Sequence, residues 1–175
     1  MLEGIARAED VYNKAFFAGL KPDPIDLSVS QWADNYRYLS SRSSAEAGLW
    51  RTRRTPYLRE PMDALGPQSK ASRVVLMFGS QTGKTESANN FLGYIMDLAP
   101  GPVLYVQPSL DMIKKLVRQR LDTMITETPR LADKVSEAKA KDATNNLFNK
   151  EFPGGLLLLT GANSAASLAS MPIRY

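Results

Sequence analysis

One stretch of the chain decides its fold class, and it reads Val74-Val75-Leu76-Met77-Phe78-Gly79-Ser80-Gln81-Thr82-Gly83-Lys84-Thr85. Its first part, Val74–Phe78, is an uninterrupted apolar run, which is typical of a strand buried on both faces. After the loop, Thr85–Leu98 carries its apolar residues on one helical face, and these are Ala88, Phe91, Leu92 and Ile95. The stretch therefore predicts a buried strand, a glycine-containing loop and an amphipathic helix, in that order.

The loop between this strand and this helix has the residues that a phosphate-binding loop needs. Backbone amides from Ser80 to Lys84 can curl around anionic oxygens, Lys84 can stabilise the β- and γ-phosphates, and the Thr85 hydroxyl can bind Mg²⁺. The amino end of the following helix adds a favourable dipole. We therefore predict an ATP–Mg²⁺ site with Lys84 as catalytic residue and Thr85 as metal ligand. Its nucleotide-binding residues are Gly79, Ser80, Gln81, Thr82, Gly83, Lys84 and Thr85.

One position departs from the phosphate-loop pattern G-x-x-x-x-G-K-[ST]. Phe78 stands where the first glycine is expected, and Gly79 follows one residue later. The alternative interpretation is a chance Gly-Lys-Thr in a helix-capping turn. A strand before the loop and an amphipathic helix after it are the context that the motif requires, and they favour the phosphate-loop interpretation.

Strands and helices alternate downstream of this loop. Pro102–Gln107 predicts the next strand, and Ser109 predicts the cap of a long helix. Asn146–Phe152 and Leu156–Thr160 predict a hairpin around Pro153-Gly154-Gly155. The predicted fold class is α/β, with a P-loop NTPase-type, mostly parallel sheet that has helices on both faces and is incomplete at the carboxyl end of the chain.

Upstream of the loop the chain is first helical and then basic. Apolar spacing predicts a helix over 2–20, a second helix from Ser28 or Ser30 through Leu39, and a short helix over 57–65. We accordingly divide the chain into an N-terminal helical region at 1–40, a basic connector at 41–71 and a P-loop ATPase core at 72–175.

The basic connector concentrates the charge of the chain. Between Arg37 and Arg59 lie six arginines and one acid, so that this stretch has a net charge of +5, against +4 for all 175 residues. One interpretation is a solvated, partly disordered connector whose arginines pair with acids elsewhere. The other is contact with phosphates, because the guanidinium group binds phosphate in a bidentate manner. The candidates for phosphate contact are Arg51, Arg53 and Arg54.

Composition excludes several kinds of chemistry. The chain has neither cysteine nor histidine, which excludes disulfides, thiolate zinc sites, a cysteine nucleophile and Ser-His-Asp hydrolysis. The longest apolar runs are far shorter than the ~18 residues that a transmembrane helix needs, and no leader pattern is present. We therefore expect a soluble, cytoplasmic protein without a membrane partner, whose chemistry relies on Lys, Ser, Thr, Arg and backbone amides.

Four segments occur in one order and carry a specific resemblance. They are Thr55–Asp63, Gly79–Glu86, Val103–Pro108 and Gly161–Ser164 with Leu168–Tyr175. In these segments the chain resembles the N-terminal part of the lambda-type phage terminase large subunit, an ATPase motor that packages DNA into capsids. The resemblance implies double-stranded DNA, the terminase small subunit and the portal of the procapsid as partners. It also implies an oligomeric motor, the cytoplasm of the infected bacterial host as location, and an endonuclease in a domain absent here.

The resemblance also suggests roles for residues outside the loop. In related motors, the segment matching Thr55–Arg59 contacts adenine, so that Tyr57 could stack on the base and Arg59 could reach a phosphate. Tyr57 could equally be an ordinary core or surface aromatic. Thr160–Ser164 resembles a motif near the nucleotide or DNA, or is a plain turn. The helix at 2–20 resembles the region that binds the small subunit, or packs on its own domain.

Two features of the sequence depart from a complete motor of this kind. Ser80 stands where many terminases carry an arginine inside the loop, so that an arginine for the transition state must come from elsewhere. No Asp or Glu follows Glu151, and we therefore expect this chain alone to bind ATP–Mg²⁺ weakly and to show no turnover. The alternatives are a helicase-like P-loop ATPase that acts on nucleic acid, and a non-catalytic nucleotide-binding or assembly fragment.

Overall fold

The computed structural model describes residues 27–42, 44, 46–135, 146–163, 168–169 and 172–175, and the predicted helix over 2–20 lies outside them. The described part is α/β, with a mixed sheet and several helices. Its helices are α1 (Val29–Tyr36), α2 (Arg59–Ala64), α3 (Lys84–Asp97), α4 (Leu110–Leu116), α5 (Asp122–Glu127) and α6 (Pro129–Ala132). Its strands are β1 (Tyr38–Leu39), β2 (Gly48–Leu49), β3 (Pro102–Gln107), β4 (Asn149–Phe152) and β5 (Gly155–Gly161).

The larger sheet has the order β3-β5-β4 and is mixed. β3 pairs in parallel with β5, with Pro102 opposite Leu156, and β4 pairs antiparallel with β5 through the hairpin that the sequence predicts. The hairpin turns at Gly154, whose φ of 80° is a backbone conformation that other residues rarely adopt. Leu157 and Leu159 of the central strand are buried in the core.

The prediction of a strand buried on both faces at Val74–Phe78 is wrong in this structure. Burial alternates along the segment instead. Val74, Leu76 and Phe78 are half-buried, while Val75 and Met77 are 70% and 90% exposed. An apolar run becomes a buried strand only where neighbouring strands pair with it, and no described strand pairs with this one.

The edge of β3 that faces away from β5 is bonded to the end of the chain. The Leu104 amide donates to the Tyr175 carbonyl at 3.0 Å, and the Tyr175 amide donates to the Pro102 carbonyl at 3.2 Å. In this structure residues 174 and 175 thus occupy this edge of β3.

The helices begin where the sequence places their caps. The Ser28 hydroxyl accepts from the Gln31 amide while the Gln31 side chain accepts from the Ser28 amide, which forms a capping box at α1. α1 ends at Tyr36, three residues before the predicted end, because Tyr38 and Leu39 pair with β2. Ser109 caps the long helix by accepting from the Met112 amide. This helix runs through α4, one turn of π-helix at Val117–Leu121, and α5.

Residues 29–64 share one hydrophobic core with the rest of the described chain. Trp32 of α1 packs directly on Gly93 of α3, where a Cβ atom would collide with the indole ring. Leu58 and Met62 are fully buried in the same core. None of the described helices is long and apolar enough to cross a membrane.

A buried carboxylate at the end of α3 joins three helical segments. The side chain of Asp97 is 0% exposed, and it accepts from Trp32 Nε1 at 2.7 Å. Arg130 Nε and Lys134 Nζ each lie 2.7 Å from its oxygens. Burial alone would raise the pKa of Asp97, but the hydrogen bonds from Lys134, Trp32 and Arg130 lower it below its ordinary value.

We predict that Asp97→Asn lowers the free energy of unfolding by about 3 kcal/mol, measured by urea denaturation. The reason is that Arg130 and Lys134 lose their buried counter-charge, although both side chains still reach solvent. Asp111→Asn, a change of an exposed carboxylate on α4, is the matched control and should change stability by less than about 0.5 kcal/mol.

The pH dependence follows from the lowered pKa of Asp97. The ionised carboxylate contributes its full stabilisation above the ordinary Asp pKa, and this contribution is lost as the pH falls through the lowered value. The difference between wild type and Asp97→Asn should therefore shrink in acid. A difference that stays constant with pH would contradict the role given to this carboxylate.

Candidate nucleotide-binding site

The loop Gly79–Gly83 precedes α3 and curls through two residues of left-handed backbone. Gln81 has φ 59° and Gly83 has φ 89°. Two features favour glycine at position 83. Its φ is one that other residues rarely adopt, and a Cβ atom would lie 2.7 Å from Leu58 Cδ1. Such conformations are costly for a residue like Gln81 and are found mostly at binding sites and tight turns. These two left-handed residues turn the backbone sharply just before α3 begins.

Lys84 turns back across this loop. Its Nζ donates to the Phe78 carbonyl at 2.7 Å and also to the Gly79 carbonyl. The Thr82 hydroxyl donates to the same Gly79 carbonyl at 2.9 Å. The structure thus brings the ammonium group, two loop carbonyls and the amino end of α3 together, with Thr85 in the first turn of that helix.

Glu86, the residue after Thr85, forms ion pairs with two arginines from distant parts of the chain. Its Oε2 lies 3.1 Å from Arg37 Nη2, and its Oε1 lies 3.0 Å from Arg120 Nη1. The Arg37 side chain is only 4% exposed, and burial lowers its pKa while the Glu86 charge raises it. Glu86 therefore neutralises a buried arginine on one side and holds a half-exposed arginine on the other.

A cavity of about 230 Å³ opens beside the first turn of α3. Its polar and cationic lining residues are Thr85, Gln107, Lys115, Gln119 and Arg120, and the apolar side chains of Met112 and Leu116 complete the lining. Tyr105 lies nearby. Burial raises the pKa of the Tyr105 hydroxyl above its ordinary value. The hydrogen bond with Gln107 and the charge of Arg120 oppose this rise, and the charge of Glu86 adds to it.

The sequence motif does not point to four of the residues that line this cavity, which are Gln107, Lys115, Gln119 and Arg120. The signal available for the last three was their place on the polar side of the long helix, where charged residues ordinarily face solvent. Nothing in the linear sequence indicates that this part of the helix lies beside Thr85.

The segment Thr55–Arg59, the candidate contact for adenine, lies against the loop. The Tyr57 ring is 54% exposed and meets the Phe78 ring edge-on, with centroids 6.4 Å apart. Arg59 is exposed at the first position of α2. Tyr57 is therefore a surface aromatic next to the phosphate-loop candidate, a position that suits stacking on a base.

The structure divides the arginines of the basic connector. Arg37 is buried, and Arg54 pairs with Glu46 at 2.7 Å, which agrees with the interpretation that these arginines pair with acids. Arg51 donates to the Asp34 carbonyl at 3.1 Å. Arg51, Arg53 and Arg54 nevertheless remain exposed on or beside one short 3₁₀ turn, Thr52–Arg54.

The predicted motif at Thr160–Ser164 is described as far as Asn163. The Ala162 amide donates to the Gln107 carbonyl at 2.8 Å, which continues the pairing of β3 and β5 by one residue. Asn163 is exposed at the carboxyl edge of the sheet and lines a second cavity with Ser109. Asn163 and Thr85 therefore line different cavities.

Comparison with known proteins supplies a family. A family model described as the ATPase domain of the phage terminase large subunit gpA matches residues 44–175. The chain is 23% identical over 133 residues to the terminase large subunit of Enterobacteria phage P21, an alignment that covers 76% of this chain and 20% of that protein. The chain thus spans about a fifth of the length of this relative. No solved structure matches the chain.

We predict that Lys84→Ala weakens the binding of ATP–Mg²⁺ at least tenfold, measured by isothermal titration calorimetry. The reason is that the charge of the β- and γ-phosphates then lacks its ammonium partner. Lys114→Ala, on the long helix, should leave the affinity within about twofold. Equal affinities for wild type and Lys84→Ala, in proteins with the same thermal unfolding, would contradict the phosphate-loop assignment.

Proposed function

The chain belongs to the family of the phage terminase large subunit gpA ATPase domain, and from this premise we propose that it is the nucleotide-binding part of a DNA-packaging motor. The motor couples ATP hydrolysis to the translocation of double-stranded DNA into a capsid. The single observation that supports this role best is the curled loop Gly79–Gly83, with the Lys84 ammonium group over it and the amino end of α3 behind it.

The proposed roles follow from the chemistry of phosphate binding in a P-loop NTPase. The amides of Ser80–Lys84 bind the phosphate oxygens, and Lys84 leaves the loop carbonyls for the β- and γ-phosphates. The side chains of the loop Gly79–Gly83 carry no charge. Within the motif, Lys84 is therefore the residue that neutralises the charge of the phosphates. Tyr57 stacks on the base, and Arg59 reaches toward a phosphate.

The residues at the loop fit Mg²⁺. In nucleotide sites this ion takes one or two protein oxygens and completes its shell with phosphate oxygens and water. The Thr85 hydroxyl offers one such oxygen, and no cluster of three acidic side chains exists among the described residues to hold the metal by itself. When bound, Mg²⁺ supplies neutralisation of the phosphate charge, and the Thr85 hydroxyl would be its ligand from this chain.

The remaining proposals concern partners. We propose that Arg51, Arg53 and Arg54 contact the phosphates of double-stranded DNA, because they are exposed together on one short turn. The segment 2–20, outside the described residues, is proposed to bind the terminase small subunit. The whole protein, an oligomeric motor with an endonuclease domain, would engage the portal of the procapsid in the cytoplasm of the infected bacterium.

We predict that replacing Arg51, Arg53 and Arg54 together by Gln weakens DNA binding and lowers its salt dependence. Each phosphate contact contributes about 0.9 to the slope of log affinity against log salt concentration, so that the slope should fall by about two to three. Fluorescence anisotropy with labelled duplexes of two unrelated sequences measures it, and both duplexes should respond alike.

The matched control replaces Lys114 and Arg118 by Gln on the long helix, and its slope should equal that of the wild type. An unchanged slope in the triple variant would assign these arginines to the intramolecular contacts that Arg51 and Arg54 already make. Binding to single-stranded DNA in preference to duplex would instead favour a helicase-like ATPase.

A further inference from the structure

We propose that Arg120 binds the terminal phosphate of the bound nucleoside triphosphate and thereby lets the site distinguish ATP from ADP. The inference rests on the proposed function, since it requires a nucleotide at the loop Gly79–Gly83. It names a residue of the long helix, outside the phosphate-loop motif, as part of the same binding site.

Arg120 lies beside the first turn of α3. Its side chain lines the cavity that Thr85 also lines, and it is 45% exposed. Its Nη1 lies 3.0 Å from Glu86, which directly follows Thr85 in α3. The guanidinium group therefore lies beside the first turn of the helix that would receive the phosphates.

The helix that carries Arg120 is irregular at this residue. The turn Val117–Leu121 is π-helical inside an otherwise α-helical run, and such turns are frequent at functional sites. Val117 and Leu121 are buried on the core side of this turn. Arg120 directly precedes Leu121, so the packing of the core fixes the part of the helix that presents the guanidinium group to the cavity.

The charged side chains that line the cavity are cationic. Lys115 and Arg120 both line it, together with the amide side chains of Gln107 and Gln119, and no acidic residue is among its lining residues. Arg120 pairs with Glu86, and the other carboxylate oxygen of Glu86 already pairs with Arg37. A site with this surplus of cationic groups and donors fits a phosphoryl group.

The sharing of Glu86 explains how Arg120 can serve a ligand. Glu86 uses one carboxylate oxygen for the buried Arg37 and the other for Arg120, so Arg120 can turn to a phosphate while Arg37 keeps its counter-charge. A half-exposed ion pair of this kind is weak in water. A phosphate carries more charge than a carboxylate and accepts the planar guanidinium in a bidentate manner.

The test compares a triphosphate with a diphosphate on the full chain. ATPγS–Mg²⁺ and ADP–Mg²⁺ are titrated into wild type, Arg120→Gln, Arg120→Lys and Arg118→Gln by calorimetry. We expect Arg120→Gln to weaken ATPγS binding about tenfold or more and ADP binding by less than twofold. Arg120→Lys should recover part of the loss, and Arg118→Gln, a change of an exposed neighbour, should bind both nucleotides as the wild type does.

Three results would overturn the inference. Arg120→Gln could bind both nucleotides as the wild type does, it could lose affinity for both equally, or Arg118→Gln could show the same selective loss. Lys84→Ala is titrated in parallel to separate this inference from the proposed function. If Lys84→Ala weakens both nucleotides while Arg120→Gln changes neither, only the inference fails; if Lys84→Ala changes neither, the proposed function fails and the inference with it.

Discussion

The buried carboxylate of Asp97 is the interaction on which the rest of this structure depends. It ends α3, and it joins Trp32 of α1 to Arg130 and Lys134 beyond the long helix. A carboxylate without solvent is stable only when its partners are complete, and three donors complete this one. The position of α3 relative to the surrounding helices is thereby fixed at its carboxyl end, and the candidate site lies at its amino end.

At that amino end, Glu86 has the corresponding role for the site. It binds Arg37 from the segment after α1 and Arg120 from the long helix, so that two elements far apart in sequence meet beside Thr85. Leu58 packs against the loop, and a Cβ atom at position 83 would lie 2.7 Å from its Cδ1. One helix thus carries a structural carboxylate at one end and, at the other, a carboxylate that brings cationic groups to a cavity.

The parts of the fold that sequence could predict are those decided by local chemistry. Ser28 and Ser109 cap their helices because a hydroxyl satisfies a free amide of the first turn, and Pro153–Gly155 turns the hairpin. Burial depends on neighbours, and so the apolar run Val74–Phe78 could not reveal that no described strand pairs with it. The loop Gly79–Thr85 was recognisable as a motif. Arg120 was not, because its link to Glu86 spans 34 positions.

The central claim made for this protein is that the loop Gly79–Gly83 and the cavity beside the first turn of α3 bind one nucleotide. Amide hydrogen exchange of the full chain, with and without saturating ATPγS–Mg²⁺, tests this claim most directly. If the claim holds, exchange slows in peptides that cover 79–87 and 115–121, because the ligand engages loop amides and holds Arg120, while exchange in a peptide from β4 is unchanged. Unchanged exchange in the 79–87 peptide under conditions where the nucleotide binds would contradict it.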